Sequence, residues 1–156
     1  MTRFFSARFA GARFPTRFTR LGAAVLLGAL VAGSLAPQAF ARPGAYLLDL
    51  VRTEPYRTAW MRMLAKERGL PSWVQDFMTT GDGVNTPSKM IPVGVKAFTY
   101  STLCEPHDCA GNMLYVVFAP DGGQAYAKLV QAGKAPRLLG KPDAQTRSAL
   151  DNAATE

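Results

Sequence analysis

Residues 112–131 read NMLYVVFAPDGGQAYAKLVQ, a strand–turn–strand pattern at the centre of the predicted sheet. Its first eight residues are rich in β-branched and aromatic side chains, which predicts the strongest strand of the chain. Pro120-Asp121-Gly122-Gly123 then predicts a hairpin turn, and 124–131 returns as the next strand. Because so short a connection joins only antiparallel neighbours, the stretch predicts an antiparallel sheet.

Further strands are predicted on both sides of this hairpin. Residues 90–95 and 96–103 are rich in β-branched and aromatic residues, and Gly94 falls where a turn or bulge between them is expected. Pro92 cannot donate to a neighbouring strand, which places the first of the two at an edge of the sheet. Arg137-Leu138-Leu139 predicts a last short strand.

Helical segments precede the strands. Residues 42–53 fit either a short helix or an extended arm. Residues 54–67 place apolar side chains at helical spacing and predict an amphipathic helix, with Thr53 as its N-cap. A second short helix is predicted to open at 70–74. The composition of 80–88 predicts a loop.

A terminal helix is predicted at 143–153, with Leu150 and Ala144 facing inwards. Trp60 and Trp73 are interpreted as anchors of the core. Helices come first, then strands, then one helix, with no β-α-β alternation that would favour a parallel sheet. The sequence therefore predicts a single small α+β domain, an antiparallel meander of about five strands flanked by helices.

The N-terminus has the features of a secretory signal. The first twenty residues hold five arginines and no acid, and 21–35 carry no charge. Ala39-Phe40-Ala41 supplies the small residues of a cleavage site before Arg42. The apolar run is shorter than the roughly 20 residues of a spanning helix, which disfavours a stable membrane anchor. We expect a signal peptide over 1–41 and a periplasmic domain over 42–156.

The basic character of the chain belongs mostly to this signal. The net charge is +7, but five of the 18 basic residues and none of the 11 acidic ones lie in 1–41. The remaining domain has 13 basic residues (18 less five) against 11 acidic ones, a charge of +2. Such a balance does not indicate nucleic-acid binding, which calls for a clustered basic face.

The chain has two cysteines, Cys104 and Cys109. In an oxidising compartment such a pair predicts a disulfide. A zinc site is the first alternative, but two Cys and one His fall one short of the usual four structural ligands. A redox-active pair is the second alternative, and it more typically has the spacing C-x-x-C.

The predicted disulfide closes the hexapeptide Cys104-Glu105-Pro106-His107-Asp108-Cys109 between two predicted strands. Closing so short a ring stabilises the fold by only roughly 2 kcal/mol. Its main effect is therefore a stiff, protruding hairpin tip, which Pro106 restricts further. His107 is the chain's single histidine, and its imidazole can donate and accept hydrogen bonds. The alternative is a solvated histidine, or one bonded to Asp108 that merely holds the turn.

No pattern in the chain points to an enzyme. His107 and Asp108 are neighbours, but no nucleophile accompanies them, because the cysteines are expected to be oxidised and no G-x-S-x-G elbow is present. The glycines form no phosphate-binding pattern. We expect no catalysis, no cofactor and no metal.

The loop pattern Cys-x-Pro-His-Asp-Cys on a secreted domain of this size resembles the Ivy family, the periplasmic inhibitors of vertebrate lysozyme. Leu70-Pro71-x-Trp73-Val74, Thr86-Pro87 and Gly94 stand in the family's order. The resemblance covers roughly 54–153, and it implies an antiparallel sheet flanked by helices.

The resemblance also implies a function, the inhibition of C-type lysozyme as a means of evading host defence. The loop 104–109 would enter the active-site cleft of this peptidoglycan-cleaving enzyme, and His107 would meet its catalytic carboxyls. Asp108 would support the loop and Cys104–Cys109 would lock it. Pro106 and Glu105 complete the expected contact residues.

One residue departs from the family's pattern, since Lys often stands where this chain has Glu105. Two other functions stay open. The chain is also compatible with a regulator of the cell's own lytic transglycosylases, or with a non-inhibitory periplasmic binding or envelope module. A homodimer is compatible with the sequence as well.

Overall fold

The computed structural model describes residues 44–155, so the predicted signal peptide 1–41 lies outside the described residues. None of the helices in these residues has the length and hydropathy of a membrane-spanning segment. The helices are α1 (Leu47–Val51), α2 (Tyr56–Leu64), α3 (Ser72–Gln75), α4 (Phe77–Thr80) and α5 (Ala144–Ala153). The strands are β1 (Val84–Asn85), β2 (Lys89–Val93), β3 (Lys96–Cys104), β4 (Asn112–Phe118), β5 (Ala125–Gln131) and β6 (Arg137–Leu139).

The strands form one antiparallel sheet in the order β1-β3-β4-β5-β6, and β2 also pairs with β3. The predicted α+β class is confirmed. Among the described strands, β2 pairs only with β3, so Pro92 lies on an edge strand as predicted. Gly94 has φ 59° in the turn that follows, a conformation that a residue with a Cβ rarely adopts.

The sheet separates two apolar layers because side chains alternate along each strand. On one face, Leu114, Val116 and Phe118 of β4 pack with the buried side chains of α1–α4. On the other face, Val117 packs with Leu150 of α5. Trp60 and Trp73 belong to the first layer, 1% and 6% exposed, which confirms them as core residues.

Part of the predicted loop 80–88 is a strand. Val84 and Asn85 pair with Cys104 and Leu103, and the N–H of Thr86 donates to the carbonyl of Thr102 at 3.1 Å. A two-residue strand is too short to show alternation, so composition alone pointed to a loop. The sheet consequently has six strands, one more than the five or so predicted.

The predicted N-cap at Thr53 is wrong. Thr53 closes α1 instead: its N–H donates to Leu50 O at 2.9 Å and its hydroxyl to Asp49 O at 2.9 Å. The helix predicted over 54–67 is shorter and runs from Tyr56 to Leu64. Of the two alternatives for 42–53, the helix is correct for Leu47–Val51.

The terminal helix is predicted well except for one side chain. Leu150 is fully buried, as expected, but Ala144 is exposed. Thr146 takes the inward position, because residues four apart share a face of a helix and residues six apart do not. Asp143 is the N-cap, and its Oδ1 accepts from the N–H of Thr146 at 2.8 Å.

Because of this cap, the stability of the fold is expected to decrease at acidic pH. The bond from Thr146 N–H holds the pKa of the Asp143 carboxyl below its ordinary value, with a second contribution from the Thr146 side chain. The carboxylate therefore stabilises the fold above about pH 4, the unfolded value, and this contribution is lost as the pH falls through the lower folded pKa. Asp143→Asn retains a capping acceptor but does not titrate. In thermal unfolding, we expect the melting temperature of wild type to exceed that of Asp143→Asn at pH 7, and the difference to shrink steadily as the pH falls below about 4. A difference independent of pH would contradict the assignment.

Candidate functional site

The candidate site is the connection between the two central strands. Strands β3 and β4 stay paired up to Cys104 and Met113, and residues 105–111 then project from the end of the sheet. Cys104 is 4% exposed, whereas Cys109 is exposed. A disulfide joins them with 4.9 Å between their Cα atoms, as predicted. The bond therefore fastens the outer part of the loop to the last residue of a buried strand.

The first half of the loop is a tight turn. The N–H of Asp108 donates to the carbonyl of Glu105 at 3.1 Å, which closes a four-residue β-turn. Pro106 is its second residue, and His107, with φ 67°, is its third. A type II turn calls for this combination of Pro followed by a positive φ. Histidine is among the few residues enriched at positive φ, so this backbone tolerates it at the tip.

Asp108 holds the second half of the loop. Its Oδ1 accepts from the N–H of Gly111 at 3.2 Å, and its Oδ2 accepts from the side-chain amide of Asn112 at 2.7 Å. Its carbonyl accepts from the N–H of Asn112 at 3.0 Å. The carboxylate is thus used within the loop and is directed at the start of β4.

His107 is left exposed by this arrangement. Within residues 44–155, its side chain forms no hydrogen bond, and Asp108 bonds elsewhere. Of the two alternatives to a functional histidine, the one bonded to Asp108 is not what the structure shows, whereas a solvated loop histidine has this same exposed geometry. Both ring nitrogens are available to a partner.

Sequence reasoning missed Gly111 and Asn112. A Cβ on Gly111 would lie 3.0 Å from both carboxylate oxygens of Asp108 and 3.3 Å from the Cβ of Ala132. Only glycine leaves the Asp108 bonds undisturbed. The sequence did contain a signal for this role: Asp108 is followed by Gly three residues later and Asn four residues later. Asp side chains in turns often accept hydrogen bonds from nearby backbone N–H groups.

Glu105 occupies a different place from His107. It is half-buried and, with Pro106, lines an open groove of about 390 Å³ between the loop and α3–α4. Trp73, Asp76 and Asp82 also line it. Glu105 therefore lies at the base of the loop among other carboxylates, whereas His107 lies at its tip.

Fold and loop together define a class: a small antiparallel α+β domain that presents one disulfide-closed loop at the end of its sheet. In the described part of the chain, no three His, Cys, Asp or Glu side chains come together as a metal site. The sequence model of the family described as inhibitor of vertebrate lysozyme (Ivy) matches residues 55–155. The chain belongs to this family, which confirms the resemblance seen in the loop.

The chain is also similar to several individual proteins, one of which carries the family's description. An inhibitor of vertebrate lysozyme from Pseudomonas aeruginosa is 30% identical, over 85% of this chain and 90% of its own length. An uncharacterized protein of the same organism is 34% identical, over 82% and 88%. An uncharacterized Yersinia pestis protein is 27% identical, and there the chain spans only 60% of the relative's length.

Proposed function

We propose that this chain is a periplasmic inhibitor of C-type lysozyme that occludes the enzyme's cleft with the loop 104–109. The observation that carries the proposal is His107, exposed at the tip of a disulfide-closed turn with no hydrogen bond to the rest of the described chain. Membership of the Ivy family and the name of the Pseudomonas aeruginosa relative support it.

The chemistry of the target suits an imidazole. Lysozyme uses two carboxyl groups, one held protonated as the acid and one ionised, about 5–5.5 Å apart. A neutral imidazole has one accepting and one donating nitrogen. Between the two groups, it would accept from the acid and donate to the carboxylate, which blocks both catalytic roles.

The rigidity of the loop favours binding. Immobilising flexible residues at an interface costs free energy that subtracts from affinity. Here the disulfide, the turn around Pro106 and the two side-chain bonds of Asp108 order the loop before it meets a partner. Inhibition then requires neither catalysis nor a cofactor from this chain.

The direct experiment is a dose–response assay of the mature protein, residues 42–156. A C-type lysozyme is incubated with the protein and its clearing of a cell-wall suspension is followed. We expect stoichiometric inhibition and a complex on a sizing column. Lytic transglycosylases are assayed in parallel. Inhibition of those enzymes alone would replace the proposed target, and no complex with any muramidase would refute the proposal.

Reversing the charge of Glu105 is expected to strengthen lysozyme inhibition. The Cα atoms of Glu105 and His107 are at most about 7 Å apart, so Glu105 would lie on the order of 10 Å from the carboxyl pair that the imidazole meets. At that distance, reversing one unit charge is worth roughly 1 kcal/mol in water before salt screening. Glu105→Lys is therefore expected to strengthen inhibition severalfold at low salt, and by less at high salt.

The matched control is Asp121→Lys, which makes the same charge change in the β4–β5 turn at the opposite end of the sheet. Calorimetric dissociation constants for both variants separate a local effect from one of net charge. Equal affinity of Glu105→Lys and wild type at low salt would show that charge at this position is irrelevant.

A further inference from the structure

A second surface adjoins the loop on the α5 side of the sheet. Helix α5 covers only part of this face and ends at Ala153. Beyond it, Thr102, Met113 and Tyr115 are half-buried and line an open groove of about 420 Å³. We call this surface the Tyr115 groove.

The Tyr115 groove is continuous with the disulfide-closed ring. Met113 is the register partner of Cys104, and Tyr115 is the partner of Thr102. Partners in an antiparallel pair project to the same face, and residues two apart on a strand are about 7 Å apart. The groove thus begins beside Cys104 and extends away from the loop along β3 and β4.

The lining of the groove exposes more apolar than polar surface, and two of its hydroxyl groups are already hydrogen-bonded within the protein. The Thr102 hydroxyl is 3.1 Å from the Thr86 hydroxyl, and the Tyr100 hydroxyl donates to Ala153 O at 3.4 Å. In contrast, the Tyr115 hydroxyl has no hydrogen-bond partner within residues 44–155. The groove offers an aromatic ring, the Met113 thioether and one available hydroxyl.

The loop alone is too small for a stable interface. A standard protein–protein interface engages about 20–30 residues on each side, whereas the ring contains only residues 104–109. Additional contact must come from surfaces beside the loop. Tyrosine and methionine are enriched in interface cores, and tyrosine is among the residues that contribute most to affinity.

We infer that the Tyr115 groove is the second contact with lysozyme, taking an apolar side chain from the rim of the enzyme's cleft while the loop occupies the cleft. This inference rests on the proposed function. Tyr115 supplies the ring, and Lys89 lies at the edge of the groove with its ammonium 5.3 Å from the centroid of the Tyr100 ring.

The test is calorimetric titration of a C-type lysozyme with wild type, Tyr115→Ala and Tyr115→Phe. We expect Tyr115→Ala to weaken affinity at least tenfold and Tyr115→Phe to retain most of it, since the ring remains. Thr102→Arg fills the groove without removing a core side chain, and we expect a comparable loss. Val95→Ala removes an exposed apolar side chain at the far end of β3 and should have no effect.

Parallel titration of His107→Gly distinguishes the two proposals. Suppose that His107→Gly loses affinity, whereas Tyr115→Ala and Thr102→Arg are folded by circular dichroism and bind as wild type does. The proposed groove contact is then overturned and the loop mechanism stands. If wild type binds no lysozyme, both are overturned. If the groove variants instead convert a dimer to a monomer and inhibit normally, the groove binds a second copy of the chain and the inference is wrong.

Discussion

Removing the disulfide by the double substitution Cys104→Ala and Cys109→Ala is expected to weaken lysozyme inhibition about 100-fold. The bond fastens exposed Cys109 to buried Cys104, so its loss frees the turn that carries His107. Each backbone residue that must then be ordered on binding costs roughly 1–2 kcal/mol. Two such residues account for the predicted loss, since about 2.7 kcal/mol corresponds to 100-fold.

The fold is expected to survive this double substitution. A ring of this size contributes roughly 2 kcal/mol, which corresponds to a fall in melting temperature of about 10 °C. The sheet pairs β4–β5 and β5–β6 do not involve the cysteines. Dose–response curves and thermal melts of the variant, and of wild type under reductant, check both parts. Undiminished inhibition by the reduced, folded protein would contradict the role of the ring.

Replacing His107 by glycine is expected to weaken inhibition at least tenfold, about 1.4 kcal/mol, with little change in stability. The substitution removes the imidazole that we place between the two carboxyls. Glycine is the informative choice because His107 has φ 67°, which glycine adopts without strain. Alanine would combine loss of the side chain with backbone strain, and its effect on inhibition would be ambiguous.

His107→Asn is the matched control, because asparagine also tolerates positive φ and keeps a small polar group. We expect its potency to fall between those of wild type and His107→Gly. Inhibition constants and melting temperatures of the three proteins are compared. Unchanged potency of His107→Gly would rule out the plug role of the imidazole.

The strands were predictable where burial imposes a pattern. The run 112–118 is apolar because its side chains pack on both faces of the sheet, Leu114 and Val116 against α1–α4 and Val117 against α5. The turn after it was predictable because Gly122, with φ 70°, adopts a backbone that few other residues tolerate. Both features depend on residues that are close in sequence, and both predictions are confirmed.

Features determined by tertiary contacts were not predictable. Val84 is a strand residue only because Cys104 lies opposite it. Thr53 carries the chemistry of an N-cap, yet its hydroxyl bonds the end of the preceding helix. The six residues of the ring were all recognisable in the sequence. That Asp108 bonds to Gly111 and Asn112 could be seen only in the folded loop. These bonds leave His107 without a hydrogen bond in the described chain.

Competition for the lysozyme cleft tests whether the loop 104–109 occupies the enzyme's active site. The affinity of the wild-type protein for a C-type lysozyme is measured by calorimetry, alone and with the enzyme's cleft saturated by a non-hydrolysable oligosaccharide that covers both catalytic carboxyls. We expect the apparent affinity to fall in proportion to the saccharide's occupancy, because loop 104–109 and the sugar need the same space. An affinity that is unchanged at saturating saccharide would show that the loop binds outside the cleft.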